Sequence, residues 1–331
     1  MYKKKDFDFI SKYEKLRFKQ GTILCTPQWI HIITNTLRES HRMETGCSKD
    51  IYFNLESFFE GYKKVHGSRH LFTIVDDGLL IQTKKTGEEE IYPLEKGLEI
   101  NPILPDRGIA LDESVNFQQF SLLKDISLDM SYLSFLKDAT LVLDRETSYI
   151  WKTNGITDIY ISLPNLDKTK GYKIPNEISC FSDISQWNDS KINIAIAKSV
   201  PGIGTDYLVI YSENDIMTVP LQMDDGYNTY EIPSSSQHYT LTQEELDTLQ
   251  SLKFKKLLAE VKREKNLKVS YEVYIEIIDG IWYMNGEKFF ECSGKVTTRR
   301  FEAYKLATFI QNAKEIEIHD RFLKDSNIYF I

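Results

Sequence analysis

The sequence predicts an α+β fold built from repeats, each with an amphipathic helix followed by two or three antiparallel strands. The second repeat shows this most clearly, because helical spacing places on one face Leu55, Phe58, Phe59, Tyr62 and Val65. Strand-like segments follow at 71–75 and 79–83, and Asp76-Asp77-Gly78 between them is a strong hairpin signal. The pattern recurs about six times, which indicates an internal repeat whose copies bury their apolar faces against one another.

The other repeats follow the same order from helix to strands. In the fifth repeat, Thr242 and Glu245 have the spacing of a capping box in front of the helix. Asn-Gly or Asp-Gly pairs predict further hairpin turns at 154–155, 279–280 and 285–286. After the sixth helix we expect only two strands. The helix and strand segments of these repeats are 9–16, 22–26 and 29–34; 128–136, 140–143, 148–153 and 158–163; 181–187, 191–198, 207–212 and 216–221; 254–261, 269–278 and 281–284; and 303–310, 315–319 and 327–331.

Two connectors group the repeats into pairs. The chain has 331 residues, more than one domain at roughly 100–200 residues each. The segments 97–113 and 223–238 contain Pro, Gly or Ser and show no period, as is typical of linkers. We therefore predict three domains of two repeats each, at 1–98, 99–222 and 223–331.

Composition points to a folded protein of the cell interior. The net charge of -8 argues against a protein that simply coats nucleic acid, although it leaves room for one segregated basic face. The chain has no signal-peptide pattern and no run of about 20 apolar residues, so we expect a soluble, cytoplasmic protein without a membrane partner, or one in the host cytoplasm if the chain is viral. The cysteines form no C-x-x-C pair and are expected to be free thiols: Cys25, Cys47, Cys180 and Cys292.

Positive charge is concentrated on the predicted helices, whereas acidic residues gather near turns and linkers. Each cluster taken alone is typical of a solvated helix surface. Taken together, basic helices on an acidic protein indicate a surface that contacts phosphates without reading sequence. The candidate DNA-binding residues are Lys12, Lys15, Lys19, Lys63, Lys64, Arg69, Lys137, Lys255, Lys256, Lys262, Arg263, Arg299, Arg300 and Lys305.

The sequence carries no recognisable catalytic motif. It lacks the phosphate-binding G-x-x-x-x-G-K-[ST] loop, the zinc motif H-E-x-x-H and the nucleophile motif G-x-S-x-G. The acidic pairs Asp76-Asp77 and Asp224-Asp225 could hold Mg²⁺, but each precedes a glycine, and turn chemistry explains that spacing better. We therefore predict a protein that is not an enzyme and that binds no cofactor and no metal. A metal-dependent nuclease built on these carboxylates is the weaker alternative.

Six helix-plus-strands repeats in three domains, with basic helices and a negative net charge, resemble the DNA polymerase sliding clamp family, of the bacterial three-domain or the phage type. The resemblance covers nearly the whole chain. It implies the DNA clamp fold and a ring of several identical chains that encircles duplex DNA and tethers a polymerase for processive replication. It also implies a clamp loader as partner. A dimer is favoured and a trimer is the alternative.

Two local segments strengthen the resemblance. Residues 149–161 look like the strand–turn–strand beside the partner pocket of the family's middle domain, and the apolar segment 328–331 looks like the terminal strand that completes this pocket. An ordinary edge strand is an equally good reading of 328–331. The resemblance implies that the partner-binding residues are Thr153, Gly155, Ile156, Ile159, Tyr329, Phe330 and Ile331. A viral structural or tail protein with β-rich interaction domains is the alternative to a clamp.

Overall fold

The computed structural model describes residues 1–7, 9, 21–34, 38–103, 109–110, 122–125, 139–143, 148–164, 170–174, 192–198, 205–223, 230–268 and 272–331. The chain divides into two compact units. The first lobe contains residues 1–108 and 191–220, and the second lobe contains residues 109–190 and 221–331. The predicted second domain, 99–222, therefore supplies residues to both lobes, and the three predicted domain boundaries stay a prediction.

Helices are few and strands are many in the described part of the chain. Its first element is a short 3-10 helix, Lys4–Phe7. The α-helices are α1 (Leu55–Lys64), α2 (Leu122–Asp125), α3 (Gln243–Ser251), α4 (Phe254–Glu264) and α5 (Ala303–Asn312). The strands are β1 (Gly21–Cys25), β2 (Trp29–Thr34), β3 (Arg38–Arg42), β4 (Ile51–Asn54), β5 (His70–Val75), β6 (Gly78–Thr83), β7 (Glu89–Pro93), β8 (Ile109–Ala110), β9 (Ala139–Leu143), β10 (Ser148–Thr153), β11 (Asp158–Leu163), β12 (Lys170–Ile174), β13 (Asn193–Lys198), β14 (Asp206–Tyr211), β15 (Asp215–Pro220), β16 (Gln222–Met223), β17 (His238–Thr240), β18 (Tyr274–Ile278), β19 (Ile281–Met284), β20 (Glu287–Glu291), β21 (Phe301–Glu302), β22 (Glu317–His319), β23 (Leu323–Asp325) and β24 (Ile328–Phe330).

The first lobe is built on two antiparallel sheets. Seven of its strands lie side by side in the order β4-β1-β2-β3-β15-β14-β13, and a separate three-stranded sheet has the order β5-β6-β7. The large sheet joins strands far apart in the sequence, because β3 pairs with β15. Along β1 and β2 the central residues, which include Ile23, Ile32 and Ile33, are almost fully buried and form part of the core.

Helix α1 covers the first lobe as its spacing predicts. The side chain of Asn54 accepts a hydrogen bond from Ser57 N at 3.0 Å and so caps the amino end. The apolar face of the predicted pattern is buried, and each such side chain contributes about 1.5–3 kcal/mol relative to an exposed one. Gly61 lets the helix approach the small sheet, since a Cβ there would lie 2.7 Å from the ring of Tyr92 and 2.9 Å from Leu79.

The second lobe also contains two sheets, with helices α3, α4 and α5. The larger sheet has nine strands in the order β16-β12-β9-β10-β11-β24-β23-β22-β17, and the smaller has the order β20-β19-β18-β21. The predicted capping box of α3 is present, because Thr242 Oγ1 accepts from Glu245 N while the Glu245 carboxylate accepts from Thr242 N. Buried residues of all three helices, among them Leu249, Leu258 and Leu306, contribute to the core.

The turns agree with the sequence prediction at several hairpins. The pair Asp279-Gly280 joins β18 to β19, and Asn285-Gly286 joins β19 to β20. All four residues have positive φ, between 49° and 88°, as a type I′ turn requires. The prediction of an α+β fold with helix-plus-antiparallel-strand repeats is therefore confirmed.

The predicted repeats are wrong in three details, one of which is that the fifth repeat has a third strand, β20, after its two predicted strands. The last repeat has three strands after its helix, because β23 lies between β22 and β24, where we expected two strands in all. The first repeat also has a third strand, β3, whose sequence Arg-Glu-Ser-His-Arg shows no apolar alternation. Its polar residues Glu39 and Ser40 are nevertheless buried. Polar contacts, such as that of Ser40 Oγ with His31 Nδ1 at 2.7 Å, replace the apolar signal that strand prediction depends on.

Candidate nucleic-acid and partner-binding sites

The basic candidates of the first lobe gather at the carboxyl end of α1. Lys63 and Lys64 occupy its last turn and are exposed, where positive charge also interacts favourably with the helix dipole. Arg69 is exposed in the turn that follows. Lys4 approaches the same helix end and donates to the carbonyl oxygens of Tyr62 and Val65, at 3.2 and 2.9 Å. This end of α1 is therefore a compact basic surface.

Helix α4 carries the densest basic surface of the second lobe. Phe254, Leu258 and Val261 are buried on one side, whereas the other side holds four of the predicted DNA-binding residues. Of these, Lys255, Lys256 and Arg263 are exposed and Lys262 is half-buried. Lys256 Nζ lies 3.7 Å from the carboxylate of Glu260, a weak exposed ion pair. The helix is amphipathic with a cationic outer face.

A cleft of about 1060 Å³ lies beside the amino end of α4. Gln250 holds the neighbouring elements together, since its side-chain amide donates to Ile310 O at 2.9 Å and to Ala313 O at 2.8 Å, which ties α3 to the end of α5. The lining mixes lysines with neutral polar and apolar side chains, and it includes Lys253, Lys255, Lys256, Tyr304, Thr308, Gln311 and Asn312. A cationic cleft of this kind accommodates anionic groups.

The remaining basic candidates are differently placed. Arg300 Nε donates to Glu276 Oε2 at 3.0 Å and its guanidinium lies 4.3 Å from the centre of the Tyr274 ring. Arg299 Nη2 donates to Ile156 O at 3.3 Å, so it lies against the turn predicted to bind partners. Lys305 is half-buried on α5. Four candidates lie outside the described residues: Lys12, Lys15, Lys19 and Lys137.

The turn between β10 and β11 is ordered by side-chain hydrogen bonds. Asn154 Oδ1 accepts from the backbone N–H groups of Ile156 and Thr157, at 3.0 and 2.8 Å, and Thr153 Oγ1 accepts from Gly155 N at 2.9 Å. Gly155 has φ +84°, in the left-handed region that favours glycine. This geometry presents Ile156, whose side chain is 46% exposed, at the tip of the turn.

The structure brings the two predicted halves of the partner site together. Strand β24 pairs with β11, which sets Phe330 opposite Ile159 and Tyr329 opposite Tyr160. The backbone of Ile331 continues this pairing with Asp158, through hydrogen bonds of 2.8 and 2.9 Å. Of the predicted partner residues, Ile159, Phe330 and Ile331 are buried, whereas Thr153, Gly155, Ile156 and Tyr329 reach the surface at least in part.

An aromatic cluster lies beside this pairing, and Tyr329 and Ile331 are its members among the predicted partner-binding residues. Its buried members are Val142, Tyr149, Tyr160, Phe322 and Ile331, and its half-buried members are Trp151, Tyr230, Ile232 and Tyr329. Trp151 stacks on Tyr230 with ring centres 5.1 Å apart. Trp151 stands directly opposite Tyr160 in the register of β10 and β11, so the cross-strand aromatic pair was the signal available in the sequence.

The tyrosine hydroxyl groups and the indole N–H of the cluster all carry their protons. Burial, with a further contribution from the charge of Asp158, raises the pKa of Tyr230 to about 12. Burial likewise raises the pKa of Tyr160. Trp151 Nε1 is buried and makes no hydrogen bond with the described residues. The cluster therefore offers a half-buried apolar surface, which suits an apolar peptide side chain.

The described residues contain no group of three or more His, Cys, Asp or Glu side chains placed to hold a metal ion. Asp76 accepts hydrogen bonds from the backbone and hydroxyl of Ser48, which is a turn-stabilising role. Asp224 and Asp225 lie outside the described residues. Within the same part of the chain, no helix is long and apolar enough to cross a membrane.

Helix-plus-strands repeats that assemble into extended antiparallel sheets define the class to which this molecule belongs, the α+β proteins with the DNA clamp fold. The resemblance inferred from the sequence is thus confirmed at the level of the fold by three solved structures. The DNA polymerase III beta subunit of Borrelia burgdorferi superposes with a TM-score of 0.63 at 12% identity, over 99% of this chain and 96% of that one. The beta subunit of Streptococcus pyogenes gives 0.62 at 10% identity, over 99% and 97%.

The third structure is the Helicobacter pylori beta clamp bound to a DNA ligase peptide, with a TM-score of 0.59 at 13% identity, over 99% and 97% of the two chains. No protein-family model matches the sequence, and no curated protein matches it. Identities of 10–13% establish the fold of the chain.

Proposed function

We propose that this chain is a DNA sliding clamp, a non-enzymatic ring that encircles duplex DNA and tethers a polymerase during replication. The observation that carries the proposal is the clamp fold over 99% of the chain, matched across 96% of the length of the Borrelia beta subunit. In such a ring the hold on DNA comes from topology, since a closed ring cannot leave a long duplex sideways. The side chains then need only weak, sequence-independent contacts.

The DNA-facing residues in this proposal are the basic candidates on the helices. Those on α1, in the turn after it and on α4 support it best, because Lys64, Arg69, Lys255 and Arg263 are exposed near buried apolar faces. Such lysines and arginines contact phosphates loosely and allow sliding. Arg300 contributes less, since Glu276 already neutralises it. Lys12, Lys15, Lys19 and Lys137 stay candidates from the sequence.

Partners bind at the β10–β11 turn and the aromatic cluster. Ile156 and Tyr329 offer apolar contact at the surface, while buried Ile159, Phe330 and Ile331 hold the two strands in register beneath them. A short peptide with apolar anchors fits such a site as a small hot spot. The beta clamp of Helicobacter pylori was solved with a DNA ligase peptide, which agrees with this kind of ligand. The polymerase and a clamp loader are the proposed partners.

The ring closes head to tail through strands that end their sheets. Every repeat has a third strand, and four of the six pair within the chain, β3 with β15 and β11 with β24. The other two, β7 and β20, lie at the ends of their sheets in the described part of the chain. Pairing β7 of one copy with β20 of the next satisfies both edges and yields a cyclic assembly. We favour a dimer over a trimer.

Retention on DNA of different topology tests the proposal. The protein is loaded, with a clamp loader of the same genome, onto a nicked circle and onto the same DNA after linearisation. Both are then washed with about 0.5 M salt, which screens surface charge contacts. A clamp stays on the circle and runs off the linear DNA. Equal loss from both, or equal retention on both, contradicts a topological hold. Sedimentation then reports whether the ring holds two or three copies.

A further inference from the structure

We propose that the joint between copies, formed by β7 and β20, sets carboxylate against carboxylate, so that the ring closes against charge repulsion and rising salt tightens it. The inference rests on the head-to-tail ring proposed above. It goes further, because it states at which salt concentrations the ring opens more easily. It is based on the described residues of β7 and β20.

The edge strand β7 is strongly acidic. Glu89 and Glu90 are exposed on it, Glu88 precedes them, and no basic residue occurs between 87 and 93. Glu89 receives a hydrogen bond from the side-chain amide of Gln82 at 2.9 Å, which leaves its charge intact. The apolar residue that β7 offers to a partner strand is Ile91, whose side chain is 47% exposed.

The edge strand β20 has the same sign. Glu287 and Glu291 are exposed at its two ends, and Lys288 is its basic residue. Lys288 already pairs with Glu291 of its own strand, and Lys265 Nζ lies 3.4 Å from Glu287. The strand is thus neutralised in part from its own chain, and its residues sum to a negative charge.

Antiparallel pairing sets one pair of like charges opposite each other in each of the three registers that place Ile91 within the centre of β20. When Ile91 lies opposite any residue from 288 to 290, Glu291 lies opposite one of residues 88–90, and all three are glutamates. In the same registers Lys288 lies opposite one of residues 91–93, which carry no charge. Like charges directly opposite on neighbouring strands destabilise a sheet.

The two pairings of third strands inside the chain do not have this conflict. Between β3 and β15, His41 Nδ1 lies 2.7 Å from Asp215 Oδ1, and Arg42 Nη1 lies 3.5 Å from Glu213 Oε1. Between β11 and β24 the partners are uncharged, with Ile159 opposite Phe330. Of the three pairings between third strands, the proposed pairing of β7 with β20 between copies is therefore the one that charge repulsion opposes.

Salt screens the glutamates at the joint as well as the lysines that face DNA. Rising salt therefore loosens the contact with DNA but tightens closure of the ring, and low salt does the reverse. Repulsion at the joint lowers the cost of opening, so that a loader has less work to do.

Sedimentation equilibrium of the full chain, without DNA or loader, tests the inference. We expect the dimer Kd to fall between about 0.05 and 0.5 M NaCl, where the Debye length shortens severalfold. Glu291→Lys removes the repulsion and places a positive charge opposite 88–90. If each joint binds about threefold more tightly, the Kd of a dimeric ring with two joints falls roughly tenfold. The salt dependence of the Kd also reverses. Glu291→Gln gives a smaller gain and a flatter salt dependence.

The control is Glu315→Lys, which makes the same change in net charge at an exposed residue outside both edge strands. Tightening by Glu291→Lys but not by Glu315→Lys supports the inference. A dimer that loosens as salt rises, or equal effects of the two variants, overturns it while leaving the ring in place. Absence of any self-association at every salt concentration, in all variants, contradicts the proposed ring itself. Unchanged melting temperatures verify that the exposed substitutions leave the fold intact.

Discussion

His41 Nδ1 lies 2.7 Å from Asp215 Oδ1 across the pairing of β3 with β15, and His41 Nε2 lies 3.6 Å from Glu39 Oε2. Burial lowers the pKa of His41, but the hydrogen bond to Asp215, the contact with Glu39 and the charges of both carboxylates outweigh burial and raise it. The folded chain therefore holds this proton more tightly than the unfolded chain does. The protonated ring joins two strands that are far apart in the sequence.

This raised pKa predicts that the first lobe loses stability as pH increases. The contribution is fully present below the unfolded pKa of about 6.5, and it disappears as pH rises through the higher folded pKa. We expect His41→Gln to have a lower melting temperature than the parent chain at pH 6 or so and to lose less on alkalisation. Thermal unfolding over a pH series measures this, with His238→Gln, an exposed histidine of the second lobe, as control. Parallel curves for parent and His41→Gln contradict the assignment.

Charge reversal on α4 tests the DNA-facing surface. We expect Lys255→Glu, Lys256→Glu and Lys262→Glu together to weaken association with short duplex DNA and to lower the salt slope of binding by up to about 3, roughly one per lost phosphate contact. Fluorescence anisotropy at several salt concentrations measures both quantities.

The matched control for α4 reverses three exposed lysines outside the candidate set, Lys49, Lys85 and Lys314. It changes the net charge equally, so it separates a local basic face from a general effect of charge. If the control weakens DNA binding as much as the α4 variant does, α4 is not the contact surface.

Ile156 tests the partner site without disturbing the fold. Because its side chain is 46% exposed, we expect Ile156→Glu to leave the melting temperature unchanged. Affinity for a labelled peptide from the replicative polymerase of the same genome should fall about tenfold or more, the loss expected at a hot spot. Ile278→Glu replaces an equally exposed isoleucine, at 45%, outside the site and should bind normally. Equal affinities for the two variants contradict the site.

Phe330 is expected to act through stability alone. Its ring is fully buried and lies with its centre 5.3 Å from that of Phe309 and 5.8 Å from that of Phe301. Phe330→Ala should lower the free energy of unfolding by about 3–5 kcal/mol, the usual cost of such a cavity. Urea unfolding measures this against Ile278→Ala, which should change little. A small loss at Phe330 shows that β24 is not part of the core.

Much of the fold was predictable because its signals are local. The face of α1, the capping box at Thr242 and the turns at Asp279 and Asn285 all follow from the spacing of neighbouring residues. Strand β3 was missed because its sequence contains no such local signal. Its buried Glu39 and half-buried His41 are compatible with a sheet because His41 lies between the carboxylates of Glu39 and Asp215, and the sequence does not reveal that Asp215 lies opposite His41.

The candidate sites were predictable to a similar extent. Helical spacing identified the exposed lysines of α4, and the family resemblance identified the turn at Gly155 and the strand that contains Tyr329. The rest of the aromatic cluster was missed, because Trp151 and Tyr230 lie 79 positions apart in the numbering and meet only in the folded lobe. Local sequence patterns therefore do not predict a surface that is formed by segments far apart in the sequence.

The pairing of β3 with β15 also constrains how the protein matures on the ribosome. His41 and Asp215 are separated by 174 positions, so β3 emerges long before its neighbour has been translated. Because translation proceeds at about 5–20 residues per second, the edge of β3 stays unpaired for on the order of ten seconds or more before β15 is synthesised. During this interval a nascent chain exposes an unsatisfied strand, and chaperone capture or mispairing with a second nascent chain competes with correct closure.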